Sequence, residues 1–196
     1  VPDIAISRSS SRAADTRGAL QAHALRLFEE RGYERTTVAE IAAAAGVSHM
    51  TFFRHFPTKE DVVLDDPYDP MLADAVAAQP RNLMALERVR LGLLSTLAAL
   101  RSAEFDDESR RRLRLATGVP ALRARIWENM TRTQDAVVTV LVAQDVERSV
   151  AEVSVGAVLG AMTSGLMHWG ATPPSPDGPM LADALATALD VLGPRP

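Results

Sequence analysis

Leu20, Ala24, Leu27 and Phe28 fall at i, i+4, i+7 and i+8, the spacing of one helix face. The pattern predicts a helix from about Arg17, closed by Gly32 as a C-cap. Thr37-Val38-Ala39-Glu40 reads as a capping box, with Thr37 as N-cap and Glu40 reaching back. The helix it opens runs to about Ala45. Gly46 follows, then a short helix from about Ser48 to Arg54. Pro57-Thr58 stops that helix and starts another, with Thr58 as N-cap and Glu60 and Asp61 in the first turn. The turn-rich stretch Asp65 to Pro70 breaks the pattern. Beyond it, helices are expected near 70–78, 82–102, 106–116, 119–145, 149–170 and 178–192. Ser149-Val150-Ala151-Glu152 is a second capping box and Gly193-Pro194 a stop. No run alternates with period two long enough for a strand, so the expected class is all-α.

Composition narrows this picture. In 196 residues, hydrophobic types make up 47% and the net charge is -4, which allows a real core and argues against disorder. Residues 1–60 carry eight Lys/Arg against seven Asp/Glu, and the remainder thirteen against eighteen. The front end is thus the less acidic part, as a nucleic-acid contact requires. The Ser/Arg-rich residues 1–16 read as a flexible arm. The chain opens on Val1, which suggests a processed or truncated start, with no basic-then-apolar signal pattern. There is no cysteine, hence no disulfide or Cys-based zinc site, and a cytoplasmic location is expected. Val153 to Ala171 is the most apolar stretch, but Ser154, Thr163, Ser164 and His168 interrupt it. It reads as a buried helix rather than a membrane span, which needs about 20 apolar residues.

Two helices joined at a glycine, the second one short, form the layout of a helix-turn-helix. Ala39 and Ala42 to Ala45 keep the first helix slim, and Gly46 can take the left-handed conformation of a tight turn. Phe52, Phe53 and Phe56 can anchor the second helix against Leu27, Phe28 and Ile41. His49, Met50 and Thr51 then fall in the first turn, where a recognition helix meets base edges. His49 suits a base edge, Met50 a thymine methyl, and Ser48, Thr51 and His55 suit phosphate oxygens. Lys59, the only lysine, is expected at a helix N-terminus facing a phosphate.

Arg17, Ala24 to Phe28, Gly32-Tyr33, Thr36-Thr37-Val38, Ile41-Ala42, Ala45 to Ser48 and Thr51 to Asp61 together resemble the N-terminal domain of the TetR family. The resemblance implies an all-helical homodimer. Its N-terminal three-helix DNA-binding domain, residues 17–63, would carry the helix-turn-helix. A C-terminal helical bundle, residues 64–196, would bind a small ligand and dimerise. It also implies that Thr37, Ser48, His49, Thr51, Phe53, His55 and Lys59 contact DNA. Phe53 departs from the pattern: many members have tyrosine there, whose hydroxyl meets a phosphate.

In the second part, Gly156, Gly160 and Ser164 recur every four residues beside Ala157, Ala161 and Gly165. Small residues at this spacing let helices approach closely. TetR-like proteins dimerise through their last two long helices, so this stripe is the expected dimer interface; packing inside one subunit is the alternative. Arg110-Arg111-Arg112, Arg114, Arg123 and Arg125 read as a solvated helix face or as an anion clamp at a pocket mouth. The stretches 65–70 and 110–125 resemble a TetR subgroup that includes the mycofactocin regulator, which implies a long-chain acyl-CoA effector. The candidate pocket is Tyr68, Arg123, Trp127, Met130, Met162, Leu166 and Trp169. A flat hydrophobic molecule, or a packed core with no ligand, are the other readings. Gly-rich phosphate loops, G-x-S-x-G and H-E-x-x-H are absent, so no enzyme and no cofactor are expected. His49 and His55, six apart, are poorly placed for a metal. A helical ligand-binding dimer without DNA binding is the alternative function.

Overall fold

The computed structural model describes residues 3–64, 69–99, 102–175 and 177–193, without side chains for 3–12, 14, 69–70, 103 and 127. Among the described residues there are helices and no strand: α1 (Asp3–Arg31), α2 (Val38–Ala44), α3 (His49–His55), α4 (Asp61–Leu64), α5 (Asp69–Ala77), α6 (Ala85–Ala99), α7 (Ala103–Gly118), α8 (Pro120–Val142), α9 (Arg148–Ala171) and α10 (Leu181–Asp190). The expected segments are all found, with ends shifted by a few residues except at the start of α1. The Ser/Arg-rich stretch expected as an arm continues the backbone of α1 from Asp3. Nothing between Asp3 and Arg17 breaks a helix, and extending one costs far less than nucleating it.

The chain divides into two compact units, residues 1–65 with 115–125, and residues 66–114 with 126–196. The first break lies beside the boundary expected at 64, and a distant segment, 115–125, also joins the first unit. Leu122 of α8 is fully buried in one cluster with Leu20, Phe28, Ile41, Phe52, Phe56, Val62 and Val63. Arg125 lies 3.4 Å from the buried Asp61 carboxylate. Sequence periodicity reports which face of a helix is buried, not the element it is buried against.

Local chemistry explains the first unit's sharp turns. Thr37 caps α2: Glu40 N–H donates to its Oγ1 (3.2 Å), and Thr37 N–H donates to Glu40 Oε2 (2.8 Å). At the other end Gly46 takes φ +68. Its N–H donates to Ala43 O, and Val47 N–H donates to Ala42 O. This is a complete Schellman motif, and it sets the angle between α2 and α3. Thr58, expected as an N-cap, accepts from Asp61 N–H at 3.2 Å, and its own N–H donates to Asp61 Oδ2 at 2.9 Å, although the α4 helix itself begins at Asp61.

In the second unit, Leu72, Val76, Val89, Leu93, Val137, Leu141, Val155, Val158, Trp169, Leu185 and Leu189 are among the buried residues of one core. Gly92 lets α6 meet α5 closely, since a Cβ there would lie 2.6 Å from Val76 Cγ2 and 2.9 Å from Val76 N. The expected capping box at Ser149 and Glu152 does not form. Glu147 is the N-cap of α9, and its carboxylate accepts from the N–H groups of Ser149 (3.0 Å) and Val150 (3.1 Å). A charged oxygen is the stronger acceptor, and Ser149 turns its own hydroxyl to Glu147. α10 lacks a side-chain cap of its own; Asp106 of α7 supplies one, accepting from Leu181 N–H at 3.0 Å. α9 is long and apolar enough to cross a membrane by length and composition. Here Ala151, Ser154, Val155, Val158, Leu159 and Trp169 turn one side of it into the core.

Candidate nucleic-acid interface

α3 is only seven residues long, and its character follows from which side is anchored. Phe52 and Phe56 are fully buried, 5.7 Å apart between ring centroids. Ser48 caps the helix by accepting from Thr51 N–H at 3.0 Å, and its Oγ also meets Thr51 Oγ1 at 2.9 Å. With one side fixed, the other faces water: His49 is exposed, Met50 is 77% exposed and Phe53 38%. The His49 and Phe53 rings form a T-shaped pair, 4.8 Å between centroids at 74°. Thr51 and His55 are half-buried beside them, and Thr37 is exposed at the start of α2.

The C-terminal end of α3 is held by a residue from α1. Arg17 Nη1 donates to the His55 carbonyl at 3.0 Å, and its guanidinium lies 4.5 Å from the centre of the Phe56 ring. A cation at a helix C-terminus complements the dipole. Burial first, and then the charges of Arg54 and Arg17, hold the His55 imidazole below its ordinary pKa, so its neutral form is favoured. The sequence marks Arg17 only as a helix start and as part of the family pattern, because its partners lie 38 and 39 residues away.

Lys59 differs from its expected place at an open helix N-terminus. Its Nζ donates to Tyr33 O (2.8 Å) and Thr36 O (3.0 Å) and sits 4.0 Å from the centre of the Tyr33 ring. Two of its three donors are thus committed to the loop between α1 and α2, and the side chain is half-buried. Tyr33 in turn donates its hydroxyl to Glu60 Oε1 at 2.6 Å. Burial, that bond and the carboxylates of Glu60, Glu34 and Asp61 push the phenol far above its ordinary pKa. Burial alone would raise Glu60; the bonds from Tyr33, its own N–H and Thr58, with the Lys59 charge, hold it below the usual range instead. No local spacing in the sequence announces this Tyr33–Lys59–Glu60 cluster, whose members lie 26 and 27 residues apart.

The candidate pocket residues are scattered by comparison. Tyr68 lies outside the described residues, and Trp127 is on α8 but without a described side chain. Arg123 is exposed and counts with the first unit. Met130, Met162 and Leu166 are half-buried against the second unit's core, with Thr163 Oγ1 3.7 Å from Met130 Sδ. Trp169 is a packed core residue: its indole N–H donates to Pro179 O at 3.0 Å. Arg110 covers that ring at 3.7 Å and donates to the carbonyls of Trp169 and Thr172 at the end of α9. Arg110 therefore caps a helix, and Arg112 pairs with Glu108. On the α9 stripe, Gly160 and Ser164 are exposed and Gly156 half-buried. A Cβ on Gly156 or Gly160 would meet nothing within 4 Å. Gly165 behaves otherwise, its Cβ position lying 2.7 Å from Ala188 Cβ of α10. Among the described residues no group of three metal-ligating side chains occurs.

Comparison with known proteins agrees with this geometry. Residues 20–65 match the family described as "Bacterial regulatory proteins, tetR family", and residues 83–195 match the "MftR C-terminal domain". The chain is 37% identical over 93 residues to the HTH-type transcriptional regulator TcmR of Streptomyces glaucescens, covering 46% of this chain and 41% of that protein. The match thus spans less than half of the relative's length. The Thermus thermophilus FadR, a TetR family transcriptional repressor solved in complex with lauroyl-CoA, is 25% identical over 90% of this chain and 92% of its own, with a TM-score of 0.51. The fatty acid degradation regulator FadR from Bacillus halodurans shares the fold at 18% identity and a TM-score of 0.55, over 90% of this chain and 94% of its own. The protein described above, with its glycine-turned helix pair and all-helical second unit, belongs to the TetR family of bacterial regulatory proteins and carries a C-terminal domain of the MftR type.

Proposed function

We propose that this chain is a dimeric DNA-binding transcriptional repressor, released from a palindromic operator by a hydrophobic effector of the acyl-CoA class. One observation carries the DNA reading. α3 and its C-cap bury Phe52 and Phe56 and leave His49, Met50 and Phe53 facing outward, as a helix lying in a major groove requires. In this reading His49 meets a base edge, and Thr37, Ser48, Thr51 and His55 meet the phosphate backbone, which fixes register. Lys59 acts chiefly by holding the α1–α2 loop in place for those contacts.

The stripe of Gly156, Gly160 and Ser164, open on its outer side, supports α9 as the dimer surface. Two subunits would then set two α3 helices about 34–36 Å apart, one turn of DNA. The effector class is supported by the lauroyl-CoA bound to the similar Thermus FadR and by the MftR-type C-terminal match. Met130, Met162 and Leu166 are the apolar side chains proposed to meet an acyl chain. α7 and α8 run from one unit into the other. An effector that favours one placement of these helices would shift the head equilibrium by its differential affinity for the two states.

The full-length protein is incubated with random duplex DNA, bound sequences are enriched, and affinity for the selected duplex is measured at fixed salt with and without lauroyl-CoA. A palindromic site whose dissociation constant rises with lauroyl-CoA is expected. Failure to enrich any sequence would overturn the DNA reading and leave a ligand-binding dimer. Tight binding that lauroyl-CoA leaves unchanged would overturn the effector class alone.

A further inference from the structure

Among the described side chains of the first unit, Met50 and Phe53 are the large hydrophobics that stay exposed; every other one packs wholly or partly inward. They stand three residues apart on a helix, which puts their Cβ atoms about 5–6 Å from each other on one side. Phe53 is gripped from two directions, by the His49 ring at 4.8 Å and by Phe52 at 5.5 Å between centroids. Met50 is unbranched and free to adapt. Neither side chain offers a strong hydrogen-bond donor or acceptor, so neither can read the polar code of a base edge. A major groove presents one apolar recognition group, the 5-methyl of thymine. The distance between the two side chains matches one to two base steps at about 3.4 Å each.

We infer that Met50 and Phe53 form an apolar reading pair that selects thymine through its methyl group at one or two neighbouring positions of each operator half-site. The inference rests on the DNA reading proposed above and names the base that this face prefers. Phe53 is then a specificity contact in its own right, and His49 also acts as the brace that keeps its ring in place.

Each thymine of the selected half-site is replaced in turn by deoxyuridine, which removes only the methyl group. Affinity is measured at one salt concentration for the wild-type protein and for Met50→Ala and Phe53→Ala, with circular dichroism to verify that each is folded. Wild-type affinity is expected to fall about fourfold per lost methyl at one or two adjacent positions. Met50→Ala, whose exposed side chain contributes little to folding, is expected to bind the thymine duplex about fourfold more weakly and to lose nothing further at its position. Unchanged wild-type binding to every deoxyuridine duplex would overturn the inference while leaving the DNA reading intact. A uracil penalty that persists undiminished in both variants would assign the methyl to another side chain and overturn it equally. Failure to select any duplex removes both.

Discussion

Lys59 is the only lysine in the chain, and the fold spends its ammonium on protein carbonyls. Removing it would leave Tyr33 O and Thr36 O without the donor that now satisfies them, and would take a cation from the face of the Tyr33 ring. Lys59→Met is expected to lower stability by about 2 kcal/mol, read as a fall in melting temperature. Because the charge is held by the protein, the slope of log affinity against log salt should stay near that of the wild type. A lost phosphate contact would flatten it by about one unit. An unchanged melting temperature with a flatter slope would return Lys59 to the phosphate role that its position in the sequence suggested. The contrast with Thr37 shows where sequence reading works. Thr37 and Glu40 are three residues apart, and their reciprocal bonds are dictated by helix geometry alone. The partners of Lys59 are 26 and 23 residues away, and only the folded turn brings them within reach.

At the scale of elements, helix existence was legible and helix ends were less so. The junction between α8 and α9 is the instructive case. Asp145 takes φ +66, its N–H donates to Val142 O, and Val146 N–H donates to Leu141 O. This is the same Schellman closure that Gly46 makes, on a residue with a Cβ. Glycine adopts that conformation without steric cost, so Asp145→Gly is expected to raise stability by about 0.5–1 kcal/mol. Two residues on, Glu147 caps α9, and Glu147→Ala should lower the melting temperature, because it removes the acceptor of the Ser149 and Val150 N–H groups. Glu152 is exposed and its link to Arg148 is long, at 3.6 Å. Glu152→Ala should therefore stay within about 0.5 kcal/mol of wild type. Thermal melts of the three variants separate the observed cap from the box read at Ser149. A loss at Glu152 equal to that at Glu147 would restore the earlier box. The sequence misplaced this cap because Ser149 and Glu152 have the right spacing, while the acceptor in front of them is charged and outcompetes the hydroxyl.

For the whole molecule, the open question is which small residues of α9 serve the subunit and which serve the proposed dimer. The stripe looked uniform in sequence, with glycines or small residues at 156, 157, 160, 161, 164 and 165. Folding divides it. At Gly165 a Cβ would press on Ala188 Cβ at 2.7 Å and Leu185 Cδ2 at 3.1 Å, so that glycine belongs to the packing of α9 on α10. At Gly160 a Cβ would meet nothing within 4 Å, and nearby Val153 is 72% exposed on the same helix. Close approach between helices depends on small side chains, so a large one at 160 should block a second subunit without disturbing the first. Gly160→Leu is accordingly expected to keep the wild-type helical signal and to melt no lower as an isolated chain, since leucine is the better helix former by about 0.8 kcal/mol. It should sediment as a monomer. Gly165→Leu should instead lower the melting temperature through overpacking, by about 1–3 kcal/mol. Operator affinity ought to collapse for Gly160→Leu even though α3 is untouched, because a single head keeps only half of the base and phosphate contacts. A Gly160→Leu protein that still sediments as a dimer with undiminished operator affinity would place the subunit contact elsewhere on the molecule.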